Sequence, residues 1–289
     1  MRKWSILASV AVMALALTAC GSNKNEQAAS GGEASPSAPA SPSEAASPGG
    51  EKAVIKVATD ASYAPMESMD KDKIVGFDVD FLDAVMKEAG LDYELTNTGW
   101  DPLFADLEQG DKSSYDMAIS AISITDERKQ TFDFSIPYFE SVNMILTKEG
   151  ATIANALELK DKKVAVQGAT TAEELMKGIM GEGNADLKRF DSNTLALLEL
   201  DSGGVDAVVA DFAVVQAFVE QHPDKKYAAM YDKTNFAPEY YGIMLPKGSG
   251  LKAKIDAAVE KVRASDEYKA MYKEWIGVEP DTTDLVNTK

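Results

Sequence analysis

Residues 103–123, LFADLEQGDKSSYDMAISAIS, read as an amphipathic helix, a turn carrying Gly110, an aspartate, and an apolar strand that runs out into hydroxyls between Ser120 and Ser123. Residues 196–214, ALLELDSGGVDAVVADFAV, repeat that grammar: helix, a turn at Gly203 and Gly204, Asp206, apolar strand, and a polar residue, Asp211, at its end. A unit written twice predicts two related halves. Around it, AVIKVA (53–58) and DYELTN (92–97) read as strands, while DVDFLDAVMKEAG (78–90) and DPLFADLEQG (101–110) read as helices. That alternation predicts α/β architecture with largely parallel sheets. Ligands of such sheets bind beyond the carboxyl ends of strands, so a cleft between the halves would collect the polar groups at both repeat ends.

The last segment, KAKIDAAVEKVRASDEYKAMYKEWIG (252–277), is helical in pattern and is expected to pack on the first half, which makes that half discontinuous. Two strands, near SVNMILTK (141–148) and YYGIMLPK (240–247), would then cross between the halves as a hinge. The expected limits are 53–145 plus 241–289 for lobe 1 and 146–240 for lobe 2.

Composition narrows the function classes. With 29 Lys and Arg against 47 Asp and Glu, the net charge is -18, which repels nucleic acid and anionic lipid. The first twenty residues, MRKWSILASVAVMALALTAC, have a short basic start, an apolar run and small residues before the single cysteine, the pattern of a secretory signal. LTAC resembles the lipobox of bacterial lipoproteins, which implies a lipidated Cys20 tethering the protein to the outer leaflet, on the extracellular or periplasmic face. Residues 21–52 are rich in Ser, Ala, Pro and Gly with almost no large apolar side chain, the composition of a disordered stalk. No later apolar run of ~20 residues reads as a membrane span.

Few side chains are suited to catalysis. His222 is the only histidine and sits in a polar stretch, EQHPDK, which reads as a surface loop; metal sites built on imidazole or thiolate and a Ser/His/Asp triad therefore have no basis. VAVQGATTAEEL (164–175) lacks the Gly-Lys-Ser/Thr ending of a phosphate loop, so no nucleotide or other cofactor is expected. It does place GATT at a helix start, where amide hydrogens and the hydroxyls of Thr170 and Thr171 can face an anion or simply cap the helix. In SAISITDERKQTFDFSIPYF (120–139), Arg128 follows a run of hydroxyls; a guanidinium can hold a carboxylate in a bidentate pair, with Ser123 beside it.

Five motifs in order, GFDVDFLDAVMKEAG (76–90), ISAISITDERKQTFDFSIPYF (119–139), VAVQGATTAEE (164–174), VDAVVADFAVV (205–215) and YYGIMLPKGS (240–249), resemble the amino-acid-binding proteins of bacterial ABC importers, over roughly Val54 to Gly277. The resemblance implies the type II periplasmic-binding fold, two α/β lobes joined by a two-strand hinge. It implies that Arg128 clamps a ligand α-carboxylate, supported by Ser123, by a backbone contact at Ala121 and by Thr171. Asp211 would receive the α-amino group. Tyr63 would stack on the ligand side chain, Asp60 would accept from its cationic or amide terminus, Trp100 would face it from the other side, and Ser120 and Gln167 would line the same pocket. Three positions depart from the family pattern: Ala121 for serine, Ala169 for glycine and Met66 for phenylalanine.

The implied function is a monomeric receptor that traps a polar L-amino acid by lobe closure and presents it to a separate permease. Two aromatic faces plus a carboxylate favour arginine, lysine or histidine; glutamine or another polar amino acid is the alternative. Two other classes share the fold: a dehydratase of prephenate-like acids using Glu67 or Glu239 as general acid or base, and an amino-acid sensor.

Overall fold

The computed structural model describes residues 54–283 and 285. Cys20, the leader and the 21–52 stretch lie outside the described residues. Strand β1 (Ile55–Thr59) leads through a small meander, β2 (Ser62–Tyr63), β3 (Glu67–Asp70) and β4 (Lys73–Val75), into helix α1 (Phe77–Ala89). Phe77, Phe81, Leu82, Val85 and Met86 recur at helical spacing and are buried, each worth roughly 1.5–3 kcal/mol by area. The helix stops at Gly90, whose φ of 63° lets its N–H cap the Lys87 carbonyl. Next come β5 (Tyr93–Asn97), α2 (Trp100–Leu107), β6 (Met117–Ala118), α3 (Arg128–Thr131) and β7 (Phe132–Phe134).

The chain then crosses through β8 (Phe139–Ser141) to β9 (Asn143–Lys148) and builds β10 (Val164–Gln167), α4 (Thr171–Met180), β11 (Leu187–Phe190), α5 (Asn193–Ser202), β12 (Ala207–Asp211), α6 (Phe212–Gln221) and β13 (Tyr227–Met230). It returns through β14 (Glu239–Tyr241) to β15 (Met244–Pro246) and ends in α7 (Lys252–Arg263) and α8 (Asp266–Ile276).

Two five-stranded sheets result, ordered β5-β1-β6-β15-β7 and β11-β10-β12-β9-β13. In each, three parallel strands are followed by an antiparallel strand, β15 or β9, that has just left the crossing. β6 and β12 hold the same place, so the two sequence repeats fold as equivalent units. Ile255, Val259, Val262, Tyr268 and Met271 of α7 and α8 join the core of the first sheet together with α1.

Two expectations need correction. The crossing pair is β8 with β14, in the register Glu239↔Ser141 and Tyr241↔Phe139, which overlaps the start of 141–148 and of 240–247; β9 already lies wholly in the second sheet, so a limit at 145/146 would cut a strand. The first repeat strand is only Met117–Ala118, because Ala121 turns to φ 47° and leaves the extended path.

Candidate functional site

The parallel strands of both sheets end toward each other. Asp60 follows β1, Trp100 opens α2 after β5, and Ser120 to Ser123 follow β6; across from them Gln167 ends β10, Thr171 opens α4 and Asp211 ends β12. One cavity is lined by Tyr63, Trp100, Ser120, Ala121, Ser123, Arg128, Gln167, Thr170, Thr171 and Asp211. Asp60 is not among its lining residues. It lies behind the wall, accepting from Ser62 Oγ at 2.8 Å and from Gln167 Nε2 at 3.4 Å. Burial raises its pKa above the ordinary aspartate range.

A buried polar chain holds the lobe-1 wall. The Asp60 N–H donates to Ser120 Oγ at 3.0 Å, and Ser120 Oγ donates to Glu67 Oε1 at 2.7 Å. The Ala121 N–H donates to Asp78 Oδ2 at 2.7 Å, and Tyr138 OH donates to the same carboxylate at 2.8 Å. That leaves the Ala121 carbonyl for any contact with a ligand. Glu67 and Asp78 are fully buried. Burial, reinforced by the neighbouring Asp78, pushes Glu67 well above the usual carboxylate range, and burial brings Asp78 to about 6.

Arg128 donates to the Ser123 carbonyl at 2.9 Å and, across the cleft, to the Ala169 carbonyl at 3.2 Å. Its guanidinium lies 5.5 Å from the Trp100 ring centre and 5.1 Å from that of Phe104. No ion pair involves it among the described residues. Trp100 therefore gives a face to Arg128 as well as lining the cavity, and its indole N–H also donates to the Ala169 carbonyl, at 3.2 Å. Ala169 reaches both donors from φ 56°, the left-handed region that favours the family's glycine. Met66, the third departure, is buried in the lobe-1 core and does not line the cavity.

On the lobe-2 wall Thr170 caps α4, accepting from the Glu173 N–H at 3.3 Å. Thr171 does not cap; its hydroxyl donates to Glu239 Oε2 at 2.8 Å. Tyr63 OH donates across the cleft to Asp211 Oδ2. Burial, and after it the charge of Glu239, raises Asp211 to about 7.

The sequence alone did not point to four more lining residues, Asn143, Ala172, Asn193 and Ala210. Asn143 and Asn193 carry no local motif; they arrive by topology, one on the strand after the crossing and one at the start of α5. Each side-chain amide is oriented by its NH2 group. Asn143 Nδ2 donates to Glu239 Oε1 at 2.6 Å and Asn193 Nδ2 to Gln167 Oε1 at 2.8 Å. Asn143 Oδ1, Asn193 Oδ1 and Asp211 Oδ1 are buried and have no hydrogen-bond partner among the described residues. Neither Glu67 nor Glu239 lines this cavity: Glu67 stands behind Ser120, and Glu239 behind Ser123 and Thr171.

Known proteins resemble this chain in sequence and fold. The sequence model of the bacterial extracellular solute-binding proteins, family 3, matches residues 55–278. A probable histidine-binding protein of Neisseria gonorrhoeae is 37% identical over 284 residues, 96% of this chain and 97% of its own. The arginine-binding extracellular protein ArtP of Bacillus subtilis is 30% identical over 278 residues, 95% of this chain and 98% of its own. The crystal structure of the arginine-, lysine-, histidine-binding protein ArtJ of Geobacillus stearothermophilus superposes with a TM-score of 0.77 at 51% identity, covering 81% of this chain and 100% of that one. With two sheets joined by paired crossing strands, and a family match running from β1 to the end of α8, the chain belongs to the bacterial extracellular solute-binding proteins, family 3.

Proposed function

We propose that the protein is the receptor of an ABC importer for a basic L-amino acid, arginine, lysine or histidine. One observation carries the ligand class. Three buried oxygens without partners, on Asn143, Asn193 and Asp211, line a cavity whose one cationic group is Arg128. A buried acceptor left unpaired costs about 1–3 kcal/mol, so the wall calls for a ligand rich in N–H donors. Arg128, unpaired and facing the same cavity, takes the α-carboxylate, with Ser123 and Thr171 beside it. Asp211 takes the α-ammonium. Gln167 and Asn193, with Asp60 behind them, take the side-chain terminus, while Tyr63 and Trp100 flank its stem. Ser120, Ala121 and Thr170 shape the wall. A buried zwitterion loses its hydration, and paired charges at both ends offset that loss.

Residues 54–142 with 242–283 form one lobe in this reading and 143–238 the other, with β8 and β14 as hinge. Among the described residues no helix is long and apolar enough to cross a membrane. Membrane attachment through lipid on Cys20, a secretory leader, a monomeric state and docking on a separate permease complete the proposal; they rest on the sequence pattern and on the family. The relatives named are binding proteins, which supports reception rather than catalysis.

The test is thermal melting of protein beginning at Glu51, stripped of carried-over ligand by unfolding and refolding, against the common L-amino acids. Ligand at ~100 times its Kd stabilises by roughly 2.7 kcal/mol. Arginine, lysine or histidine should stand out, and Arg128→Ala should remove the shift. A glutamine response alone would overturn the basic assignment; no response to any amino acid would overturn the receptor reading.

A further inference from the structure

Resting on that reading, we propose that Glu239 is a built-in stand-in for the ligand carboxylate, so that binding must win Ser123 and Thr171 away from it. Glu239 belongs to the crossing strand β14, and its carboxylate gathers side chains from both lobes. Oε2 accepts from Ser123 Oγ at 2.7 Å and from Thr171 Oγ1 at 2.8 Å, while Oε1 accepts from Asn143 Nδ2 at 2.6 Å. Ser123, Thr171 and Asn143 line the cavity, whereas Glu239 does not. Each hydroxyl has one proton. While those protons point at Glu239, the two oxygens turn only lone pairs toward the place where Arg128 awaits an anion.

A carboxylate held by Arg128 gains both hydroxyl donors only if they rotate toward the cavity. Glu239 is half-buried and opens onto a broad groove, which it lines with Ser123, Glu127, Arg128, Thr171 and Glu174. There water can replace the two lost donors, while Asn143 keeps its hold on Oε1. The exchange is therefore feasible but not free. Glu239 lowers affinity for α-carboxylates and, by occupying the donors in the empty site, keeps both hydroxyls ordered. It acts through Ser123 and Thr171 as a positioning residue.

Isothermal titration with L-arginine, L-lysine and L-histidine tests this. Glu239→Ala should bind the preferred ligand more tightly, on the order of tenfold. Glu239→Gln, whose amide oxygen still accepts, should show a smaller gain and serves if the alanine variant melts near working temperature. In a Ser123→Ala/Thr171→Val background the gain should vanish, because the groups competed for are gone. An equal gain in both backgrounds means that the charge alone acts, and unchanged or weaker binding in Glu239→Ala means that Glu239 serves closure; either result overturns the proposal. Failure of wild-type protein to bind any of the three ligands would instead sink the functional reading on which it rests.

Discussion

Asp211 makes the cleft sensitive to pH. Burial and the nearby Glu239 charge raise it to about 7, so the ligand-free site holds a proton there below that pH. A ligand ammonium needs the ionised carboxylate. Binding should therefore release a proton below about pH 7, and affinity should rise with pH up to that value and level off above it, by at most about tenfold per unit. For the empty protein the sign is opposite. An aspartate whose folded pKa is raised keeps a proton that the unfolded chain has already lost, so its contribution to stability falls as pH climbs from the ordinary aspartate range to about 7. Titration calorimetry in buffers of different ionisation enthalpy measures the released proton. Asp211→Asn should abolish the release; a release that persists in that variant would belong to another group.

At the scale of elements, the entry into α1 sets the lobe-1 wall. Gly76, just before the helix, has φ 144°, and a Cβ there would lie 2.1 Å from the Met66 carbonyl oxygen and 2.9 Å from the Glu67 Cα. Only glycine lets the two segments touch. Two residues later Asp78 holds the Ala121 N–H, while Glu67 holds Ser120. Gly76→Ala should cost roughly 3 kcal/mol, a Tm drop of about 6–12 °C, and should weaken ligand binding because the loop after β6 loses both supports. Differential scanning calorimetry beside a binding titration reads both. A drop in Tm with affinity intact would show that the wall does not depend on this contact. The same scale explains the repeat: β6 and β12 stand third in equivalent sheets, so each must end in polar groups at the cleft.

For the whole molecule, charge and hinge act together. The chain carries 47 acidic against 29 basic residues, and carboxyls are buried on both walls of the cleft. Field lines focused into such a cleft attract cations before contact. The association rate of L-arginine measured by stopped flow should fall as salt is raised from about 0.01 M to 0.15 M, where the Debye length shrinks from about 30 to 8 Å; a neutral zwitterion should show little change. A salt-independent rate for arginine would remove steering from the account. The cross-cleft bonds from Arg128 and Trp100 to the Ala169 carbonyl, and from Gln167 to Asp60, describe lobes already in contact.

Local chemistry was legible in the chain because it is local. Helix and strand periods, turn glycines, the repeated unit and the five ordered motifs lie within short windows, where side-chain pattern alone selects the element. They led to two α/β halves, a C-terminal return to the first and, through the family resemblance that the motifs carry, ten of the fourteen residues that line the cavity. What the sequence could not carry were the relations between segments far apart in number. Asp60 stands behind the wall because Gln167 and Ser62 claim its oxygens. Trp100 lends a face to Arg128 because the first residues of α2 and α3 meet. Asn143 and Asn193 enter the site only through the fold, and Glu239, nominated from the sequence only as a general acid or base, meets Ser123 and Thr171 through the β8–β14 crossing. Hydrogen-bond polarity is decided the same way: a serine or threonine hydroxyl can serve a ligand or a protein carboxylate, and only the folded position of Glu239, more than sixty residues from Thr171, determines which acceptor takes the proton.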